Sequence, residues 1–236
     1  MLNERSLERS AVVANSRMNR ERVATGVNSY ERELRLNPIQ FLADRCIRNG
    51  RASWLDLCCG RGCALIEAAV SPELAKNVSQ VDFVGVDLVD AFDIVPENSN
   101  CNLIAASLHE WTTSEKFDLV TCAHGLHYVG DKLGLIARAC SWLAPDGLFV
   151  AHLDLANLRR IDRSSLGDEI VKRFRRNGLA FDRRRHLLCC RGHKSIEFNY
   201  RFSVADDTAG PNYTGQEAID SLYEACADCG GNCSPV

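Results

Sequence analysis

Between Ser53 and Leu155 the chain repeats one unit, an apolar run of strand length followed by a stretch of helix length. The runs are SWLDL (53–57), VDFVGVDL (81–88), CNLIAAS (101–107), FDLVTCA (117–123) and LFVAHLDL (148–155). Few folds accommodate such alternation, because parallel strands need crossovers and crossovers are right-handed. The pattern predicts an α/β fold with a mostly parallel sheet. Its clearest helix is Asp131 to Leu143, where Leu133, Ile136, Ala137, Cys140 and Leu143 share a face.

Beyond Leu155 the pattern changes. SSLGDEIVKRFRRNG (164–178) reads as a helix capped by Ser165 and Asp168 and stopped by Asn177-Gly178. RHLLCCRGHKSIEFNYRFSVADD (185–207) predicts two strands joined through RGHKS, a C-terminal antiparallel hairpin on the sheet edge. YTGQEAIDSLYEAC (213–226) predicts a last helix opened by a Thr214/Glu217 capping box. The stretch 206–217 is either a chain reversal or part of a pocket wall. Residues 1–50 read as an N-terminal helical lid, with a break near Pro38, and 51–236 as the main body of a single domain.

With 236 residues, 46% hydrophobic, the chain can bury a sizeable core. No apolar run approaches the roughly 20 residues of a membrane helix, and the charged start MLNERSLERS does not resemble a signal peptide, so a cytoplasmic location without membrane contact is expected. A net charge of -3 argues against a general nucleic-acid binder, although 159–185 is locally basic. That segment is either a solvated face or a contact for an anionic partner. The 12 cysteines are expected to be mostly small buried hydrophobes rather than disulfides. Cys226 and Cys229 have C-x-x-C spacing, with Cys233, Cys189, Cys190 and His193 as further ligand types. This zinc pattern is incomplete, and no metal site is expected.

The first strand ends in LDLCCGRG (55–62). A turn leaving the first strand of such a sheet must let backbone approach a ligand, which Gly60 and Gly62 allow, and Asp87 at the end of the second strand suits two ribose hydroxyls. The G-x-G-x-x-G fingerprint of dinucleotide enzymes is not met, since Ala64 and Leu65 follow. Cys58 and Cys59 are expected to be small residues of the turn, ahead of redox or metal roles. Over roughly 30–155 this order resembles the class I S-adenosylmethionine-dependent methyltransferases of small-molecule type, with their Rossmann-like, mostly parallel seven-stranded sheet.

The resemblance implies S-adenosyl-L-methionine as cofactor, held by Asp56, Cys58, Gly60, Gly62 and Asp87. Cys58 replaces the first glycine of the pattern, and its Cβ disfavours positive φ. Leu88 would pack on the adenine, with Ser107 and Leu108 at its edge. Ala106 stands where the family commonly has an acid. Tyr30 would cover the methionine portion or be a core aromatic. Cys122, at the end of the fourth strand, joins the cofactor set. As a nucleophile it would need a Pro-Cys context that is absent. His124 and His127, in TCAHGLHYVGD, are the candidate bases or acceptor-orienting groups. No Asn/Asp-Pro-Pro-aromatic motif or paired glutamates follow, which leaves a small-molecule O, N or C acceptor. The alternatives are a non-catalytic cofactor-binding regulator and an RNA methyltransferase using 159–185; nucleic acid is the less expected partner, and a homodimer is compatible with the sequence.

Overall fold

The computed structural model describes residues 1–13, 20–74, 80–97 and 99–226. Its centre is a seven-stranded sheet in the order β3-β2-β1-β4-β5-β8-β7, in which β8 is Leu187–Arg191 and β7 is Leu179–Asp182. The five parallel strands are β1 (Ala52–Leu57), β2 (Val81–Asp87), β3 (Cys101–Ala105), β4 (Phe117–Cys122) and β5 (Leu143–His152). All six residues of β1 are buried, as a central strand covered on both faces requires. Alternate residues feed two cores. Leu55, Leu57, Val120 and Cys122 join one, and Ala52, Trp54, Phe83 and Leu119 join the other.

Helices close both faces. α2 (Tyr30–Leu34), α3 (Pro38–Asn49) and α4 (Cys63–Ala69) bring Tyr30, Leu42 and Leu65 to the second core. α5 (Lys132–Ser141) and α6 (Gly167–Arg176) bring Ile136, Ile170 and Phe174 to the first. α3 starts after Asn37, whose side chain caps the backbone N–H of Gln40, and Pro38 occupies the first turn, where its missing N–H costs nothing. No described helix is long and apolar enough to cross a membrane.

Four expectations are corrected. The hairpin at the sheet edge is β7 (Leu179–Asp182) with β8 (Leu187–Arg191), turning at 183–186, and β8 inserts antiparallel between β5 and β7. The second run, β9 (Tyr200–Asp206), does not pair with β8. It forms a separate sheet with β10 (Asp220–Ala225) and the short β6 (Leu158–Arg160), in the order β6-β10-β9. β10 is therefore a strand where a helix was predicted. Backbone partners on both sides outweigh a local capping signal, and Thr214 donates to Asn212 Oδ1 instead of capping.

Ser165 likewise makes a bridge with Arg159 and does not cap α6. Of the helix expected through residues 3–23, the described residues form only α1 (Glu4–Leu7), and Leu2 pairs with Ala205 of β9, which pins the chain start to the second sheet. Residues 14–19 of that stretch lie outside the described residues. Within β5, Ala144 to Gly147 form an irregularity where the register against β4 shifts between Phe117 and Leu119.

Candidate active site

At the carboxyl end of β1 the chain turns with Cys58 at φ 57°, Gly60 at 61° and Gly62 at 80°. Cys58 thus adopts the left-handed conformation that its Cβ disfavours, at a cost of roughly 1–2 kcal/mol. The next residue ties the turn down, since Cys59 N–H donates to Val86 O at 3.2 Å. Gly60 is required by space as well as angle, because a Cβ there would lie 2.7 Å from the carbonyl oxygen of Arg20. A Cβ on Gly62 would lie 2.6 Å from Leu103 of β3. Gly60 N–H donates to Asp87 Oδ2 at 2.8 Å and Val89 N–H to Oδ1 at 3.0 Å, so the carboxylate at the end of β2 braces the turn after β1. Burial raises the pKa of Asp87, against these donors.

A cleft of about 890 Å³, counted to its open mouth, lies over this turn. Of the expected residues, Cys58, Gly60, Asp87, Leu88, Leu108 and His124 line it. The N-terminal segment forms the facing wall through Leu7, Val13, Arg20 and Arg22.

The other expected residues stand behind it. Asp56 is wholly buried and accepts from Thr121 Oγ1 at 2.6 Å and Tyr30 Oη at 2.7 Å. Trp54 Nε1 donates in turn to Thr121 Oγ1 at 2.7 Å. Burial pushes the Asp56 carboxyl up to about 7. Tyr30 is therefore a core aromatic, edge-on to Trp54 at 5.9 Å. Gly62 packs beneath the turn, and Ser107 Oγ donates to Glu8. Cys122 is buried beside Cys58, and both sulfurs would meet a Cβ on Gly125, a position that sequence reasoning did not single out.

Four of the chain's six histidines meet at the end of this cleft. His124, at φ 61°, places Nε2 3.1 Å from Glu33 Oε2. Its ring stacks on His152 of β5, with centroids 3.9 Å apart and 13° between planes. Tyr213 stacks on His186 at 3.8 Å and faces His127 edge-on at 5.4 Å. His127 is 1% exposed, and both its ring nitrogens lack a hydrogen-bond partner among the described residues. The His124 hydrogen bond draws the Glu33 carboxyl down to about 2. Burial drives His152 down to about 3 and His127 well below its usual value. Near neutral pH Glu33 is an anion and His127 and His152 are uncharged. Glu33, His152 and Tyr213 carry no motif, and only the topology brings them to His124.

Beside this cluster opens a second cleft of about 770 Å³, which shares Arg22, His124 and Gln216 with the first. Tyr213, Thr214 and Gln216 line it, so the 206–217 stretch is a pocket wall as well as a chain reversal. Donor atoms of Glu33, His124 and His152 lie within 4.8 Å of one another, close enough to share a metal ion, and no cysteine belongs to that group among the described residues. Arg22, Arg32, Arg35 and Arg185 line the same cleft, and their positive potential opposes a cation. Cys189 and Cys190 sit on β8 and Cys226 is exposed, while Cys229 and Cys233 lie outside the described residues.

Residues 27–196 match a family model described as a methyltransferase domain, a span that holds the glycine turn, Asp87 and the histidine cluster. The chain belongs to that family. No curated protein matches it. Among solved structures, this methyltransferase-domain chain is similar to the N-methyltransferase NodS from Bradyrhizobium japonicum WM9 in complex with S-adenosyl-L-homocysteine, at 20% identity over 82% of this chain and 98% of that one, with a TM-score of 0.43. It is also similar to the plantazolicin methyltransferase BpumL in complex with S-adenosylhomocysteine, at 16% identity over 52% of this chain and 49% of that one, TM-score 0.37. Coclaurine N-methyltransferase matches at 17% identity over 48% of this chain and 33% of that one, TM-score 0.38. The chain thus spans about half the length of the plantazolicin enzyme.

Proposed function

We propose that the protein transfers a methyl group from S-adenosyl-L-methionine to a small-molecule O, N or C acceptor. One observation carries the reading. A single cleft has the braced glycine turn and Asp87 at one end and the Glu33-engaged His124 at the other. The cofactor's needs fit what is present: a carboxylate for the ribose in Asp87, apolar faces in Leu88 and Leu108 for the adenine, and close backbone approach at Gly60. When bound, it supplies a methyl group made electrophilic by its sulfonium.

The chain's own residues then position and exclude water. In-line displacement rewards alignment, and Leu7 and Val13 put apolar side chains on the wall that faces the turn. With Nε2–H of His124 donating to Glu33, Nδ1 keeps the lone pair that accepts a proton from a protonated acceptor, and the carboxylate stabilises the imidazolium that forms. The RNA reading is less favoured. In 159–185, Arg159, Arg160, Arg163, Arg173, Arg183 and Arg185 each form an ion pair with an acidic side chain, so much of the basic charge is locally compensated.

Calorimetric titration with S-adenosylhomocysteine tests the assignment. Asp87→Ala is expected to weaken binding by roughly 1–3 kcal/mol through loss of charge-assisted hydrogen bonds and of the brace on Gly60. Unchanged affinity would remove Asp87 from the site. Turnover separates an enzyme from a non-catalytic binder: His124→Ala is expected to spare cofactor affinity and abolish most methyl transfer.

A further inference from the structure

Resting on the methyltransferase reading, we propose that the methyl acceptor is a planar anion, a small molecule bearing a carboxylate or phosphate group that arginines of the second cleft hold while its reacting atom meets His124. That cleft is lined by Arg22, Arg32, Arg35 and Arg185 against one acidic side chain, Glu33, which His124 already engages. Arg185 also bonds Asp182 at 2.8 Å. The guanidinium groups of Arg32 and Arg35 have no hydrogen-bond or ion-pair partner among the described residues. They flank Glu33 on the short helix α2 and its cap, so anion and reacting atom would be held by one element. A planar guanidinium presents paired N–H donors that match a carboxylate or phosphate edge.

The geometry of the junction supplies the rest. His124 lines both clefts, so a ligand anchored on the arginines extends toward the end of the cofactor cleft through a shared wall. Flat surfaces flank that path: the half-exposed Tyr213 ring, 39% exposed and backed by His186, and the His124–His152 stack. Rings so arranged suit a planar body, and the uncharged state of His152 keeps this part of the wall from adding a charge of its own. A metal ion on Glu33, His124 and His152 would have to overcome the four arginines, whereas an anion is drawn by them.

The test uses the full chain saturated with S-adenosylhomocysteine, titrated calorimetrically with four benzene derivatives of similar size: benzoate, phenyl phosphate, benzyl alcohol and benzylamine. At least one anion is expected to bind about tenfold or more tightly than the neutral and cationic rings, and the tighter of the two names carboxylate or phosphate as the group recognised. Arg32→Ala/Arg35→Ala is expected to lose about tenfold or more of that affinity with cofactor-product affinity unchanged. Both side chains are exposed, so the variant retains the fold, which its unliganded melting temperature verifies. Binding of the uncharged or cationic ring as tightly as the anions, no anion binding at millimolar concentration, or an unaffected double variant would overturn the proposal. So would stabilisation by Zn²⁺ or Mn²⁺ that Glu33→Gln abolishes. If S-adenosylhomocysteine itself fails to bind, the methyltransferase reading falls first; if it binds and no anion preference follows, only this proposal falls.

Discussion

Asp56 shows how the site charges its cost to the fold. Its carboxyl is sealed in the centre of the sheet, and burial raises its pKa from 3.8 to about 7. The folded state therefore holds the proton more tightly than the unfolded chain, and the contribution is fully present below pH 3.8 and lost as pH rises through 7. Chemical denaturation against pH should show wild-type stability falling relative to Asp56→Asn between about 4 and 7 and levelling above. A flat difference would place the carboxylate in a better solvated environment. At Gly60, alanine meets both a left-handed backbone and the Arg20 carbonyl, so Gly60→Ala should cost at least about 1–2 kcal/mol of stability and lower cofactor-product affinity. Gly60 and Asp87 were legible in the sequence because their roles depend on short-range chain geometry. Glu33, His152 and Tyr213 were not, because their chemistry arises from neighbours 91, 28 and 89 residues away along the chain, all converging on His124.

Among the elements, strands β1 to β5 and helix α5 could be read because each carries its own apolar period and its own stop signals. β10 could not. Its segment has helix-like caps, and what makes it a strand is pairing with β6 and β9, contacts that no local window contains. The same holds for the exchange of partners that put β8 inside the main sheet. One buried lysine locks this arrangement: Lys132 Nζ donates to Val129 O, Ile219 O and Ser221 Oγ, each at 2.8 Å, joining the start of α5 to β10. Lys132→Met leaves those acceptors without a donor in a dry interior, and urea denaturation should show a loss of about 1–3 kcal/mol or more. A neutral result would mean that water replaces the ammonium.

At the scale of the whole molecule, the sheet places two clefts at the carboxyl ends of its strands, and the N-terminal segment, pinned to β9 through Leu2 and Ala205, forms the outer wall of one. The α/β class and the carboxyl-end position of the site followed from alternation alone. The wall did not, since residues 3–23 read as helix, whereas Leu2 is held by a tertiary bridge to Ala205. Methyl transfer in this molecule requires that the walled cleft accept an adenosyl group. Thermal unfolding with S-adenosylhomocysteine at about 100 times its dissociation constant tests this directly. Selective binding to the folded chain contributes about 2.7 kcal/mol, which raises the melting temperature of a chain this size by about 5–10 °C. A melting temperature that does not move at any concentration up to the solubility of the compound would contradict the account.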